Sequence, residues 1–188
     1  MSQENVEIVR GVRISLKGRE RRQHRTLDER IVVRVPVLAH LLSAAWARLP
    51  RHSRLRRVML VRRLRQGYAA ANRRDFDVLV TGLDPVIELH PIAMVPDMDA
   101  IYHGHAGYRE AWRALLESFE DLRLDPQELL DFGERLLVTV EWSGHGAGSG
   151  VSIGQQGFQL FTMRQGLIVR HDDFFDRAAA LEAVGLSE

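Results

Sequence analysis

Apolar residues in the middle of the chain recur at helical spacing. They stand at i, i+4, i+7, i+8 and i+11, which places them on one stripe of a helix that starts near Gly107. The stripe consists of Tyr108, Trp112, Leu115, Leu116 and Phe119. Such a stripe is buried only against another apolar surface. The pattern therefore predicts a helix that covers a sheet.

The sheet is predicted downstream, where apolar segments are separated by turns that contain glycine. The segments are residues 122–131, 136–143, 157–164 and 167–174, and the longest glycine-rich turn spans residues 144–154. Strands that follow one another through short turns pair antiparallel. Alternation assigns Leu136, Val138, Val140 and Trp142 to a core face, and Leu137, Thr139 and Glu141 to a wetter one.

Helices and one strand are also predicted upstream and at the end. Apolar spacing predicts helices at residues 58–72, 76–82 and 177–184, and Pro85 precedes an extended segment at residues 86–90. Together these elements predict one soluble α+β domain from about Val58 to Leu186. Its helices pack on a curved antiparallel sheet and leave room for a small apolar pocket.

Charge divides the chain unevenly. Residues 1–65 carry 17 basic and 5 acidic side chains, whereas residues 66–188 carry 9 and 20. We therefore divide the chain into an Arg-rich extension of uncertain structure at residues 1–57 and a folded domain at residues 58–188. The arginine run from Arg51 to Arg65 could contact the phosphates of nucleic acid or an anionic membrane. No recognised binding module frames it, so a disordered extension is expected.

Composition excludes several classes of site. The chain has no cysteine, so disulfides, thiolate zinc sites and cysteine nucleophiles are absent. This composition is compatible with a reducing compartment. The longest apolar stretch, residues 35–47, is too short to cross a bilayer. We expect a cytoplasmic protein.

Several segments resemble the SnoaL-like branch of the nuclear transport factor 2 superfamily. They are MSQENVEIVR at residues 1–10, YAAANRRDFD at 68–77, GHAGYREAW at 104–112, GLIVR at 166–170 and DRAAALEAVG at 176–185. The resemblance implies a cone-shaped α+β fold, frequently a homodimer, whose cavity serves isomerases, polyketide cyclases, epoxide hydrolases, dehydratases or plain binding proteins. In relatives, the counterparts of residues 1–10 and of Tyr68 share one helix. Here residues 11–66 intervene, either as a genuine basic insertion or as an aberrant stretch of the gene model.

Two polar residues on the last predicted strand are the favoured site. Alternation puts Leu167, Val169, His171 and Asp173 on one face, and Ile168, Arg170, Asp172 and Phe174 on the other. A histidine and a carboxylate two positions apart could act as base and orienter in proton transfer. The alternative is a hydrogen-bonded pair with a structural role only.

His90 is the third catalytic candidate. It ends the first strand near the position where the resemblance to ketosteroid isomerase places a catalytic carboxylate, although that alignment needs a shift of one residue. Tyr68 lies one helical position from that enzyme's phenol, and residues 158–162 hold no acid. Steroid isomerisation is therefore not expected.

Aromatic residues supply the predicted walls of the pocket, namely Tyr68, Tyr102, Trp112, Phe119, Trp142 and Phe158. His103 and His105 have no carboxylate at ligand spacing, so neither a metal nor another cofactor is predicted. The predicted function is a pocket for a small apolar molecule, with acid–base chemistry of the isomerase, cyclase, dehydratase or epoxide hydrolase type. The alternative is a non-catalytic carrier or dimerisation module. A homodimer is expected, with Leu137 and Thr139 on exposed sheet surface.

Overall fold

The chain is described by a computed structural model that covers residues 11–17, 24–50, 53–92 and 98–186. Residues 1–10, which carry part of the resemblance, and Arg51 lie outside these ranges. The helices are α1 (Leu27–Arg34), α2 (Pro36–Ala47), α3 (Arg54–Asn72), α4 (Phe76–Leu79), α5 (Gly104–Ser118) and α6 (Arg177–Ala183), and a 3-10 turn spans Val80–Gly82. The strands are β1 (Val12–Ser15), β2 (Leu83–His90), β3 (Tyr102–His103), β4 (Arg123–Asp131), β5 (Arg135–His145), β6 (Ser152–Arg164) and β7 (Leu167–Phe174).

All seven strands form one sheet in the order β1-β4-β5-β6-β7-β2-β3. The neighbours are antiparallel except β2 and β7, which run parallel. Register shifts interrupt the β2–β7, β4–β5 and β6–β7 ladders, and such bulges bend a sheet. The predicted class, helices on a curved and mainly antiparallel sheet, is confirmed.

Apolar side chains pack on both faces of this sheet. The inner face of β5 presents the predicted core positions to α3 and α5, namely Leu136, Val138, Val140 and Trp142. On the outer face, Leu137, Phe158 and Leu160 pack against Ala180 and Leu181 of α6. Leu137 is only 3% exposed because α6 covers it, so the expectation that it forms open sheet surface was wrong.

The glycine-rich turn is shorter than predicted. Gly144 and Gly154 belong to the β5–β6 ladder, in which Ser143 pairs with Gly154 and His145 with Ser152. Alternating glycines look like a loop in the sequence, yet glycine is tolerated in a ladder when neighbouring backbone approaches closely. At Gly144 a side chain would lie 3.2 Å from the backbone of Leu122. The turn therefore comprises residues 146–151.

The described parts of the N-terminal segment are packed into the same fold. β1 pairs antiparallel with β4, and Leu16 and Trp46 are buried in the main core. Arg25 forms two hydrogen bonds of 2.7 Å to Asp75. The predicted boundary between residues 57 and 58 falls inside α3, so it does not separate two structural units.

Helix α2 lies over the junction of α3, the 3-10 turn and β7. Its closest approach is at Gly166 in the turn between β6 and β7, where a Cβ atom would stand 2.2 Å from the carbonyl oxygen of Ser43. Gly166 also has a φ of +78°, which glycine adopts without steric cost. A glycine is therefore required there twice, for the turn and for the contact.

Arginines of the basic run point into the fold as well as out of it. The guanidinium of Arg56 is buried and lies 2.6 Å from a carboxylate oxygen of Asp131, and Arg62 lies 2.6 Å from Asp28.

No helix within the described ranges is long and apolar enough to span a membrane.

Candidate functional site

A small cavity of about 80 Å³ lies between α3, α5 and the inner face of the sheet. Its wall is largely apolar, with Leu60, Leu64, Trp112, Leu136, Phe161 and Met163 among its residues. Four polar side chains that are linked by hydrogen bonds through Asp173 form one side of the wall, and Arg63 lies at another point of it; the four are Tyr68, Tyr108, Gln159 and His171. A concave apolar space with a few convergent polar groups is typical of a ligand site.

A continuous chain of hydrogen bonds runs behind this polar side. The Tyr108 hydroxyl lies 3.1 Å from His171 Nδ1, and His171 Nε2 lies 3.0 Å from Asp173 Oδ1. Gln159 Nε2 donates to the same carboxylate oxygen at 2.8 Å, and the Tyr68 hydroxyl donates to Gln159 Oε1 at 2.7 Å. Every link is satisfied when Nε2 of His171 carries the proton and Nδ1 accepts from Tyr108.

A bulge in β7 sets which side chains reach the cavity. Thr162 pairs with Arg170 while the next residue of β6, Met163, pairs with Ile168, so Val169 has no partner on β6. The bulge puts Ile168 on the cavity face together with His171. The predicted strict alternation, with Val169 inside and Ile168 outside, was wrong for this reason. His171 and Asp173 share the inner face as expected, because β7 is regular beyond the bulge.

Burial keeps the two phenols protonated. It raises the pKa of Tyr68 well above its usual value, and the negative charge of Asp173 raises it further. Burial also raises the pKa of Tyr108, against a hydrogen bond from Trp112 that lowers it. Both tyrosines are therefore hydrogen-bond donors at neutral pH.

His171 is fixed by packing as well as by hydrogen bonds. It is 3% exposed, and the centroid of the Phe161 ring lies 4.5 Å from the centroid of its imidazole. Phe161 pairs directly with His171 across the β6–β7 ladder, which explains the contact. The imidazole is thus held in one orientation with one edge toward Tyr108 and the other toward Asp173.

The chain matches the family model described as the SnoaL-like domain over residues 64–171. It belongs to the SnoaL-like domain family. The match spans all the polar residues of the cavity up to His171, apart from Arg63, which lies one residue before it. No curated protein is significantly similar to the chain.

Solved structures with the same fold cover most of this SnoaL-like domain. TerC, co-crystallised with polyporic acid, is 26% identical with a TM-score of 0.56, and the match covers 67% of this chain and 98% of TerC. An NTF2-like protein of unknown function from Burkholderia pseudomallei is 25% identical with a TM-score of 0.56, over 66% of this chain and 96% of its own. A protein with a ketosteroid isomerase-like fold from Catenulispora acidiphila, in complex with trimethylamine, is 15% identical with a TM-score of 0.54, over 66% and 92%.

His90 points away from the cavity of the SnoaL-like domain. β2 pairs with β7 so that Leu89 stands beside His171 and His90 beside Asp172. His90 Nδ1 lies 4.0 Å from Asp172 and its Nε2 lies 3.6 Å from Glu88, on the outer face of the sheet. Paired residues in a ladder share a face of the sheet, so Leu89 faces the cavity with His171, and His90 faces away from it with Asp172. The prediction that His90 lies at the catalytic position is therefore corrected.

The predicted aromatic walls divide into two groups. Tyr68 and Trp112 line the cavity, whereas Tyr102, Phe119 and Trp142 are buried elsewhere in the main core. Phe158 lies on the outer face against α6, since the inward positions of β6 are Gln159, Phe161 and Met163. These four aromatic residues are corrected to core positions.

Three polar residues of the site were absent from the predicted set. Tyr108 was assigned to the apolar stripe of the covering helix, Gln159 follows a phenylalanine on a strand, and Arg63 belonged to the basic run. Gln159 carried a signal, because an uncharged polar residue between apolar neighbours is 2% exposed here and must be hydrogen-bonded. Within the described ranges, no three His, Asp or Glu side chains converge as metal ligands would.

Proposed function

We propose that the protein binds a small apolar carbonyl compound in the cavity and catalyses proton transfer at the carbon beside the carbonyl group. The observation that carries this proposal is the buried chain from Tyr108 through His171 to Asp173 beside an apolar cavity. It supplies a hydrogen-bond donor, a base and an orienting carboxylate in one line.

The reaction begins when the ligand's carbonyl oxygen replaces His171 as the acceptor of the Tyr108 hydroxyl. Nδ1 of His171 then has a free lone pair and removes a proton from the carbon beside the carbonyl. The electron pair of that C–H bond forms the carbon–carbon double bond of the enolate, the π pair of the carbonyl group moves to its oxygen, and the phenol of Tyr108 donates a hydrogen bond to that oxygen. Return of the proton to the same or another carbon completes exchange or isomerisation.

Asp173 is the positioning residue in this scheme. It accepts a hydrogen bond from Nε2–H of His171, so it keeps the imidazole in the tautomer with a basic Nδ1 and stabilises the imidazolium that forms. Gln159 donates a hydrogen bond to the carboxylate, and Tyr68 donates one to Gln159. Because the pKa of the Tyr108 phenol is raised, the phenol keeps its proton before the ligand reacts and can donate a hydrogen bond to it.

Relatives of the fold support a small-molecule ligand. TerC was co-crystallised with polyporic acid and the Catenulispora acidiphila protein with trimethylamine. The cavity of this chain, about 80 Å³, is smaller than an engineered cavity of about 150 Å³ that admits benzene. A ligand of one ring therefore requires the cavity to widen to roughly twice this volume.

The test is deuterium exchange into cyclohexanone, followed by proton NMR in D₂O. We expect the protein to accelerate loss of the protons beside the carbonyl, and His171→Gln to slow this on the order of 10²-fold or more. His145→Gln is the matched control, because His145 pairs with Asp121 at the surface. If the unaltered protein binds cyclohexanone but does not accelerate proton exchange, the catalytic proposal is wrong.

A non-catalytic ligand carrier is the second candidate. Both ring nitrogens of His171 already have partners within the protein, which is the arrangement expected of a structural network. A carrier would show binding of the ketone with no exchange, and His171→Gln would lower stability rather than turnover. The same measurements therefore separate the two functions.

A homodimer stays a prediction, as does contact of the basic segment with nucleic acid or an anionic membrane. Light scattering after size-exclusion chromatography tests the first. The second requires binding that weakens steeply as salt is raised.

A further inference from the structure

Arg63 is the arginine of α3 that lines the small cavity. Its guanidinium bonds only to neutral groups, with Nη1 2.7 Å from Ser43 Oγ and Nη2 3.1 Å from the carbonyl oxygen of Thr81. By contrast, Arg56 is paired with Asp131 and Arg73 with Glu29. In the part of the chain that the structure describes, no carboxylate lies within ion-pair distance of Arg63.

A guanidinium in this position raises the free energy of the folded state. Removing a cation from water without a counter-ion is unfavourable, and neutral acceptors offset only part of that loss. Burial alone lowers the pKa of Arg63 to about 10, so the side chain is still protonated at neutral pH. Two of its five N–H groups account for the bonds described, which leaves donors for another acceptor.

The position of Arg63 is at the junction of two spaces. It lines the small cavity, and it also lines a groove of about 460 Å³ between α3 and the helices α1 and α2. Gly67, Leu79 and Gly82 border both spaces as well. A ligand with its apolar part in the cavity would place a group at this border within reach of the guanidinium.

We infer that Arg63 binds an anionic group, a carboxylate or an acidic enol, of the molecule that occupies the cavity. The inference rests on the proposed function, because it requires that the cavity take up a ligand. The inference adds a substrate class to the proposed function. The substrate is a small apolar acid whose anionic end binds Arg63 at the border between the cavity and the groove. Arginine suits this task because its planar fork matches a carboxylate.

The contact also links ligand binding to α2. Ser43 belongs to α2 and accepts a hydrogen bond from the same guanidinium. An anion that binds Arg63 therefore acts on the hydrogen bond between Arg63 and Ser43 of α2. It either replaces Ser43 as an acceptor or binds to the same guanidinium beside it. Specificity for an acid is in this way built from α2 and α3 together.

The test compares cyclohexanecarboxylate with its neutral isostere cyclohexanecarboxamide by isothermal titration calorimetry at neutral pH. We expect the carboxylate to bind about tenfold or more tightly than the amide, and Arg63→Gln to abolish this preference while amide binding persists. Arg63→Lys keeps the charge and should keep part of the preference. Arg57→Gln is the matched control, since Arg57 is exposed on the same helix.

The outcomes separate this inference from the proposed function. Equal affinity for carboxylate and amide, or an Arg63→Gln protein that is folded and keeps the preference, would overturn the role of Arg63 while leaving the ketone chemistry intact. Loss of preference in Arg63→Gln, together with no deuterium exchange into cyclohexanone, would support an acid-binding protein that is not a catalyst. Cooperative thermal unfolding of each variant checks that it is folded.

Discussion

His171 has partners on both ring nitrogens and on its ring face, so its chemistry depends on which partner a ligand displaces. Tyr108 is the partner that also lines the cavity, whereas Asp173 lies behind the imidazole. A ligand therefore meets the phenol and the imidazole but not the carboxylate. In the proposed reaction, the residue that faces the ligand, Tyr108, and the residue that positions the base, Asp173, are therefore distinct.

Replacing Asp173 by Asn tests this division at the scale of one residue. The Asn oxygen can still accept from His171 and Gln159, so the fold is expected to persist. Burial is the main cause of the raised pKa of both Tyr68 and Tyr108, but the charge of Asp173 also raises both, so its removal should lower the pKa of each tyrosine. Ultraviolet titration of tyrosinate measures the combined shift of the two phenols, and Asp125→Asn should not produce it.

The same variant should slow ketone exchange on the order of 10²-fold if Asp173 holds the tautomer of His171. An unchanged rate, with the tyrosine titration shifted as expected, would remove Asp173 from the mechanism while confirming its place beside the phenols.

The pairing of His171 with Asp173 could be predicted, because residues two apart on a strand share a face. The position of Ile168 could not, since a bulge of one residue depends on how two strands twist against each other rather than on local sequence. The same limit applies to Phe158, whose face depends on which neighbour covers it. Tyr108 and Gln159 looked like core positions because a buried polar group shows its partner only in three dimensions.

At the scale of elements, α2 is held against the turn between β6 and β7 with no space to spare. Gly166→Ala should destabilise the protein by more than Gly148→Ala, because both glycines have a φ of +78° but only Gly166 has a backbone neighbour in the way. We expect about 1–2 kcal/mol from backbone conformation alone at Gly148. Overpacking adds about 1–3 kcal/mol at Gly166.

Urea unfolding of both variants measures this difference, and hydrogen exchange locates it. Faster exchange of α2 amides in Gly166→Ala, but not in Gly148→Ala, is the expected pattern. Equal losses of stability in the two variants would show that the contact with Ser43 contributes nothing.

Acid should loosen the segment that leads into α1. Burial raises the pKa of Asp75, but hydrogen bonds from Arg25 and from the backbone of Val78 outweigh it, so the net pKa is lowered. A carboxyl group with a lowered pKa in the folded state contributes stability above its unfolded pKa of about 4, and this is lost as the pH falls through the folded value. Arg25→Gln should therefore flatten the dependence of stability on pH in this acid range.

Urea midpoints measured from neutral to acid pH test this expectation. The matched control is Arg13→Gln, which removes a largely exposed arginine from Glu128. If the unaltered protein and Arg25→Gln lose stability in parallel on acidification, the contact between Arg25 and Asp75 does not hold the segment.

At the scale of the whole molecule, the segment before α3 is predicted to be part of the cooperative fold. Leu16 is 1% exposed in the main core, whereas Leu27 at the start of α1 is 76% exposed. Leu16→Ala should cost about 2–5 kcal/mol of unfolding free energy. Leu27→Ala should stay within about 0.5 kcal/mol.

Chemical denaturation with far-ultraviolet circular dichroism decides the matter. A Leu16→Ala protein as stable as Leu27→Ala would mean that the segment is an appendage, as its charge suggested. The family resemblance could predict the sheet and its helices, but it could not predict β1, α1 or α2, because these elements lie outside residues 64–171, the part of the chain that the family model matches. Charge alone misled there, since several of these arginines form internal ion pairs.

The parallel pairing of β2 with β7 also has a consequence for how the protein is made. β2 is made before β4, β5 and β6, yet its partner inside the sheet is β7, the last strand of the described ranges in chain order. Until β7 emerges, the inner edge of β2 and the free edge of β6 are both unpaired, and neither His171 nor a closed cavity exists. Nascent chains therefore expose two unpaired strand edges to misassociation until β7 is made, and the cavity closes when β7 inserts between its two neighbours.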